Sequence, residues 1–231
     1  MAAQSARKLE PWQRRLFVPN YQVGEAAKYA KISAKTVADW HKVGARQTLS
    51  AREKRVALSY MQLIEVAVVA AFRRAGIRLK SIRSARDYIS KELKSEFPFA
   101  EHRFKADGRR LVMDYQQIIG ERGNGKVLRP DQSGQLAWEH ILGRLEEFEY
   151  ERRGIVVKWH IDGPSSPIVI DPRVAFGAPS VGGTPTWVIK GRWSAGETVE
   201  EIADDFGIDN SQVAYALKFE GIENGMGKWL N

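Results

Sequence analysis

The segment of residues 21–44 constrains the fold most, because its sequence has the pattern of two short helices joined by a tight turn. Apolar residues recur in its first half at the spacing of one helical face, at Val23, Ala26, Ala27 and Ala30. Ile32 marks the turn, and Ser33 stands where its hydroxyl can accept a hydrogen bond from a free amide of the second helix. Small residues where two helices cross, followed by a capped second helix, are typical of a helix-turn-helix.

The second helix of the pair, predicted over residues 33–43, divides into two faces. Its inward face carries Val37, Trp40 and Val43. Its outer face carries Lys35, Thr36, Asp39 and Lys42. A basic outer face predicts a recognition helix that enters the major groove of DNA, although a purely structural helical hairpin has a similar pattern.

The net charge of +8 is unevenly distributed along the chain. Residues 1–95 hold 20 Lys and Arg against 7 Asp and Glu, a net charge of +13, whereas residues 96–231 hold 16 against 21, a net charge of −5. The predicted recognition helix therefore belongs to the strongly basic part, as expected of a phosphate-binding face. A solvated basic surface is the alternative interpretation.

The region after this helix, residues 45–58, is dense in Arg and Lys and predicts a small wing or loop. Its cations would contact the DNA backbone, which positions a protein without reading sequence. A solvated linker is the alternative. The predicted DNA-contacting residues are Lys31, Lys35, Thr36, Lys42, Arg46, Arg52, Lys54 and Arg55.

Two further helices are predicted, over residues 59–75 and 79–93. The inward positions of the first are Leu63, Val66, Ala67, Ala70 and Ala71. With the preceding helix pair and basic segment, these elements resemble the MerR-type winged-helix domain. That family's domain starts with a motif of the type Tyr-x-Ile-Gly-Glu-x-Ala, followed by Val-Ser-x-x-Thr-Ile-Arg-x-Trp/Tyr.

The matching residues are Tyr21, Val23, Gly24, Glu25, Ala27, Ile32, Ser33, Thr36, Val37 and Trp40. The chain departs from the motif at Ala38 and Asp39, where the family often has basic or aromatic DNA-contacting residues. The resemblance therefore implies a DNA-binding domain in which the contacts come from Lys35, Thr36 and Lys42.

Residues 99–164 have a mixed periodicity. Asp107 and Gly108 predict a two-residue hairpin turn, residues 135–150 predict a helix, and residues 155–160 and 168–170 predict strands. The carboxylates near the end of the predicted helix are interpreted as its solvated face, at Glu146, Glu147, Glu149 and Glu151.

Residues 191–231 predict a second helical pair. Thr198 with Glu201 forms a capping box before its first helix, and Asp209 with Gln212 can cap the second. The pair carries six carboxylates, at Glu197, Glu200, Glu201, Asp204, Asp205 and Asp209. Each would repel a nearby phosphate by about 1 kcal/mol in water, so contact with protein is favoured over contact with DNA. The candidate residues of this second DNA or partner face are Ser211, Gln212, Tyr215 and Lys218.

Residues 168–221 also resemble a family known only as a domain of unknown function. The matching residues are Ile170, Asp171, Pro172, Gly177, Pro179, Gly183, Thr184, Pro185, Gly196, Glu200, Glu201, Ile202, Phe206, Val213, Ala216 and Leu217. That family is similar to antitoxins of bacterial toxin–antitoxin operons, whose toxins resemble PIN-type ribonucleases. The two resemblances together are typical of the large VapB-type antitoxins.

These resemblances imply an antitoxin that binds operator DNA, represses its own operon and neutralises a PIN-type ribonuclease toxin. We expect a homodimer or a higher toxin–antitoxin oligomer, because a palindromic operator demands two-fold symmetry. Residues 7–17, or Lys228 with Trp229, could plug the toxin's active site. A MerR-like transcription regulator without a toxin partner and a protein-interaction scaffold are the alternatives.

The sequence predicts no catalytic residue, metal site or cofactor, and no enzyme. It has no cysteine, and its histidines lack metal-ligand spacing. No apolar run approaches the roughly 20 residues of a membrane span, and residues 1–20 lack the apolar core of a signal peptide. We therefore expect a cytoplasmic protein that does not bind membranes.

The predicted fold is α+β and mainly helical, in four parts. Residues 1–20 form an N-terminal arm, and residues 21–98 form a MerR-like winged helix-turn-helix domain. Residues 99–164 form a small mixed α/β region, and residues 165–231 form a C-terminal helix-turn-helix-like antitoxin module.

Overall fold

The computed structural model describes residues 10–44, 47–53, 55–74, 76–101, 146–151 and 155–222. The helices within them are α1 (Pro11–Arg15), α2 (Val23–Ala30), α3 (Ala34–Trp40), α4 (Tyr60–Arg74), α5 (Leu79–Leu93), α6 (Pro98–Glu101), α7 (Thr186–Ser194), α8 (Val199–Phe206) and α9 (Asn210–Phe219). The strands are β1 (Phe148–Tyr150), β2 (Val156–His160), β3 (Val169–Ile170), β4 (Ser180–Val181) and β5 (Thr184–Pro185). The described residues therefore form a mixed α+β fold.

Several predictions concern residues outside the described ranges. They are the arm up to residue 9, the contacts of Arg46 and Lys54, the hairpin at residues 107–108, the first part of the predicted helix at 135–145, and the tail with Lys228 and Trp229.

Helix α4 forms the centre of the N-terminal half. Twelve of its fifteen residues are buried, and it packs against α2, α5 and α6. The five predicted inward residues are all buried, but Ile64 and Val68 on the other side are buried as well. The five inward residues are therefore confirmed, and the burial extends to further positions because a helix that is apolar on nearly all sides is surrounded by other elements.

The helix pair predicted in residues 21–44 is present as α2 and α3, which pack against each other. Lys31 ends α2 with φ = 55°, and the Ser33 hydroxyl accepts a hydrogen bond from the Thr36 amide at 3.0 Å. Helix α3 ends at Trp40, so Val43 lies beyond it and is 71% exposed. The inward placement of Val43 was therefore wrong, since it assumed that the helix continued to residue 43.

The basic segment after α3 is a loop wherever the structure describes it, without a hairpin wing in residues 47–53 or 55–58. The Trp40 carbonyl accepts hydrogen bonds from the amides of Thr48 and Leu49, at 3.0 and 2.9 Å. Leu58 forms an isolated antiparallel bridge with Tyr21. This loop therefore folds back onto both ends of the helix pair instead of projecting as a β-wing.

The five strands form one antiparallel sheet in the order β1-β2-β3-β4-β5. Phe148 opposes Trp159 across β1 and β2, and the two rings stack at 6.0 Å between centroids. The prediction that residues 148–150 end a helix was therefore wrong: the pairing of Phe148 with β2 outweighs the helical periodicity of the preceding residues. The buried Glu147 likewise contradicts the predicted solvated carboxylate face.

The second helical pair is present as α8 and α9, with both predicted capping boxes. Gly207 joins the two helices with φ = 62°. The sequence analysis did not predict the β4–β5 hairpin or α7, which packs against both helices of the pair. The C-terminal unit therefore consists of three helices and not of an isolated pair.

The N-terminal and C-terminal halves meet at Tyr21 and Gly177. The buried Tyr21 hydroxyl donates a hydrogen bond to the Gly177 carbonyl at 3.0 Å. Gly177 has φ = +79°, and a Cβ atom there would lie 2.1 Å from the Tyr21 oxygen. Buried residues of α2, α4, the sheet and α7–α9 all belong to one hydrophobic cluster. The two predicted modules therefore share a core.

Candidate nucleic-acid interface

Helix α3 presents the polar face that the sequence predicts. Val37 and Trp40 are buried, whereas Lys35 is exposed on the helix and Lys42 is exposed just beyond its end. Thr36 is half-buried, with its hydroxyl 2.8 Å from the Ser33 hydroxyl. The two lysines thus flank a short, capped helix that is anchored by its apolar side.

An open groove of about 670 Å³ lies at the C-terminal end of α3, between α3 and α5. Its lining includes Thr36, Asp39, Trp40, Lys42, Val43 and Arg83. We call it the α3–α5 groove. Arg83 donates from Nε to the Thr48 hydroxyl at 2.8 Å, which orients its guanidinium.

Arg83 is a basic residue of this surface that the sequence analysis missed. It lies more than 40 residues from Lys42 in sequence, and a basic residue on an amphipathic helix carries no local signal of what it faces. Arg83 lies near Lys42 because α5 and α3 line the same groove, and this proximity depends on the tertiary structure.

A second open groove, of about 460 Å³, lies between α2, the loop after β2 and α9. Its lining includes Lys28, Lys31, Asp162, Ser165, Tyr215 and Lys218. We call it the α2–α9 groove. It brings Lys31 of the first predicted face together with Tyr215 and Lys218 of the second.

Ser211 and Gln212 do not line this groove. Ser211 is exposed at the start of α9, and the Gln212 side chain accepts a hydrogen bond from the Asp209 amide at 3.0 Å. Of the predicted second face, Tyr215 and Lys218 therefore line the groove. Ser211 and Gln212 instead lie in the first turn of α9, where Gln212 completes the capping box.

The α2–α9 groove contains two ion pairs. Lys31 Nζ lies 2.6 Å from Asp162 Oδ1. Lys28 Nζ lies 3.9 Å from Glu220 Oε2 and 4.5 Å from the centre of the Phe219 ring. Lys218 is exposed and has no ion-pair partner within the part of the chain that the structure describes.

The two described arginines of the basic loop differ in environment. The Arg52 guanidinium is half-buried and donates to the Val56 carbonyl, so it braces the loop from within. Arg55 is exposed, with φ = +70°. Both arginines are predicted phosphate contacts. Arg55 is the one whose side chain is exposed and accessible to a phosphate.

His41 lies directly after α3 and is buried, with Nδ1 at 2.8 Å from the Ser50 carbonyl oxygen. Burial lowers the pKa of His41 to about 4, so the ring is neutral at pH 7. Nδ1 therefore donates to Ser50. The His41 side chain is therefore packed inside the protein, bonded to the loop that follows α3.

Glu65 lies under the same loop and is completely buried in α4. Its Oε2 atom is 3.4 Å from the Arg86 guanidinium, and its Oε1 atom accepts from the Phe99 amide at 3.5 Å. Burial raises the pKa of Glu65 to about 7, and the Arg86 cation opposes that rise.

The acidic residues of the C-terminal pair lie away from the α2–α9 groove, since none of the six lines it. Arg192 of α7 forms ion pairs with Glu197 and Asp205. Two of the six carboxylates are therefore paired with a cation outside the groove.

Within the described residues, no group of three or more His, Asp or Glu side chains is arranged to hold a metal ion. None of the described helices is long and apolar enough to cross a membrane.

Known proteins are similar to this chain in part or over most of its length. Residues 168–219 match a family described as "Protein of unknown function (DUF433)", the region in which the sequence resembles a family of unknown function. The chain is 25% identical over 228 residues to the Mycobacterium tuberculosis protein named "Putative antitoxin VapB45", covering 88% of this chain and 94% of that protein. This similarity supports an antitoxin-like relationship along most of the chain.

A solved structure shares the fold. The crystal structure of Rv2018 from Mycobacterium tuberculosis superposes with a TM-score of 0.69 at 22% identity, over 88% of this chain and 99% of that chain. This chain and the crystal structure therefore have the same overall fold.

Proposed function

We propose that this chain is a DNA-binding antitoxin that represses its own operon and neutralises a PIN-type ribonuclease toxin. The observation that carries the DNA-binding part is α3: a helix capped by Ser33, anchored through Val37 and Trp40, and flanked by the exposed Lys35 and Lys42. The similarity to a protein named as an antitoxin supports the toxin-binding part.

An α-helix such as α3 fits a major groove. With its side chains an α-helix is about 10–12 Å in diameter, and the major groove is about 12 Å wide. Lys35 and Thr36 lie in the first turn of α3, and the first residues of a recognition helix are the ones that contact base edges. We assign Lys42 and Arg55 to the phosphates beside them.

A homodimer would place two copies of α3 on a palindromic operator, about 34–36 Å or a multiple of it apart. The toxin would then bind the remaining surface, and a toxin–antitoxin oligomer would cover the operator. The residues that contact the toxin lie outside α3 and outside the basic loop that follows it, because these bind DNA.

The experiment is to co-express the chain with the product of the neighbouring gene, and to measure co-purification, ribonuclease activity and DNA binding together. We expect a stable complex whose ribonuclease activity is suppressed and which shifts duplex DNA from upstream of the operon. A chain that shifts this DNA but binds no neighbouring product would instead be a MerR-like regulator without a toxin. A chain that binds neither would contradict both parts of the proposal.

A further inference from the structure

We infer that the α2–α9 groove binds the phosphodiester backbone of the same DNA that α3 contacts, through Lys31, Tyr215 and Lys218. This inference rests on the proposed function, since it assigns a further contact within the same complex. It gives the C-terminal helix α9 a role in binding DNA, where its acidic neighbours in the sequence had favoured a protein partner.

The position of the groove is the first argument. Lys31 ends α2 and Ser33 caps α3, so the α2–α9 groove opens at the N-terminal end of α3. The α3–α5 groove extends from Thr36 along α3 to Lys42 beyond its C-terminal end, with Arg83 of α5 beside it. The basic residues Lys31 and Lys42 thus lie beyond the two ends of a helix about 10 Å long.

This arrangement matches the geometry of duplex DNA. The major groove is about 12 Å wide and is bordered on each side by one phosphate backbone. When the first turn of α3 contacts base edges, Lys31 before the helix and Lys42 after it lie on opposite sides of that contact. The α3–α5 groove then lies beside one strand and the α2–α9 groove beside the other.

The charges in the α2–α9 groove are the second argument. Three lysines line it, against two carboxylates at or beside its edge, and Lys218 has no ion-pair partner among the described residues. The Lys31–Asp162 pair is exposed, with 62% and 48% of the two side chains accessible, and exposed pairs of this kind are held weakly. A phosphate can therefore take the place of the Asp162 carboxylate beside Lys31.

Tyr215 supplies a neutral contact. Its side chain is 55% exposed at the groove, and tyrosine hydroxyls commonly donate hydrogen bonds to phosphate oxygens. None of the six carboxylates that argue against DNA contact at this helix pair lines the groove, so none of them would be in direct contact with a phosphate bound there.

The experiment measures the dissociation constant of duplex DNA from upstream of the gene over a series of salt concentrations. We expect Lys218→Glu to weaken binding about tenfold and to reduce the slope of log K against log salt by about 1, because one phosphate contact is lost. The control is Lys91→Glu, which makes the same charge change at an exposed position of α5 outside both grooves, and should bind like the wild type.

Asp162→Asn provides a second test, in which the expected result is tighter DNA binding. Misfolding would weaken DNA binding, so it cannot produce this result. Removing the carboxylate beside Lys31 should tighten binding several-fold, and Asn tolerates the φ of +77° at this position. Tighter binding of Asp162→Asn together with weaker binding of Lys218→Glu supports the inference.

Three results would overturn it, and they separate it from the proposed function. If Lys218→Glu and Asp162→Asn bind DNA like the wild type while the wild type shows steep salt dependence, the inference fails and the proposed function stands. If Lys218→Glu retains DNA binding but no longer retains the neighbouring gene product, the groove is a protein interface. If the wild type shows no salt-dependent DNA binding, both fail.

Discussion

Glu65 is a carboxyl group in an apolar environment. It interrupts the apolar sequence of α4, is completely buried, and pairs with Arg86 at 3.4 Å. The pair connects α4 with α5 beneath the loop that follows α3. Its ionisation therefore bears on the stability of the N-terminal half.

We predict that Glu65→Gln removes a pH-dependent part of the stability. The folded-state pKa of about 7 lies above the ordinary value of 4.5, so the folded protein binds this proton more tightly than the unfolded chain. Its contribution is fully present below pH 4.5 and is lost as the pH rises to about 7. The free energy of unfolding of the wild type minus that of Glu65→Gln should thus fall by about 3 kcal/mol across this window.

Urea unfolding of both proteins at several pH values measures this difference, and groups common to both cancel. A difference that stays constant from pH 4.5 to 7.5 would show that Glu65 is ionised throughout. The sequence indicates an unusual charge at this position, but it cannot identify Arg86 as the partner, because the contact depends on how α5 packs on α4.

At the scale of elements, the contact between Tyr21 and Gly177 joins the start of the N-terminal helix pair to the turn before β4. We predict that Gly177→Ala destabilises the protein by about 1–3 kcal/mol more than Gly183→Ala. Both glycines have positive φ, but a Cβ atom at 183 meets nothing within 4 Å, whereas one at 177 lies 2.1 Å from the Tyr21 oxygen.

Adding Tyr21→Phe to Gly177→Ala should recover part of this loss. The substitution removes the clashing oxygen, and the nearest ring atom is then 3.3 Å from the Cβ position. Unfolding free energies of the single and double variants form the measurement. Strictly additive losses would contradict the close contact.

The elements that the sequence predicts well are those with local signals. The caps at Ser33 and Thr198 mark the starts of α3 and α8 correctly, whereas the apolar spacing extends α3 too far, to Val43. The β4–β5 hairpin has strands of two residues, too short for any periodicity, and residues 148–150 become a strand through pairing with a segment further along the chain. Such elements are fixed by tertiary contacts.

At the scale of the whole molecule, the described residues do not separate into the predicted modules. Buried side chains from α2, α4, the sheet and α8 belong to one cluster. We therefore predict a single cooperative unfolding transition in calorimetry, with equal calorimetric and van't Hoff enthalpies. Two resolved transitions would show that the N-terminal and C-terminal units unfold independently.

The candidate DNA interface also belongs to this scale. The sequence identifies Lys35 and Lys42 because both fall on the outer face of the helix predicted over residues 33–43, and it identifies Tyr215 and Lys218 as a separate face. It cannot show that Lys31 and Lys218 line one groove, because their proximity depends on the shared core. Two of the three lysines of that groove, Lys28 and Lys31, belong to residues 1–95, which carry the net charge of +13.

The central claim is that α3 binds DNA, and the affinity of a charge-reversed pair tests it most directly. We predict that Lys35→Glu/Lys42→Glu abolishes binding to the upstream duplex at a salt concentration where the wild type binds, because two attractions become repulsions. The control Lys91→Glu/Lys94→Glu carries the same charge change on exposed residues at the end of α5 and should retain binding. Equal affinity of the two double variants would contradict the assignment of α3 as the DNA-binding helix.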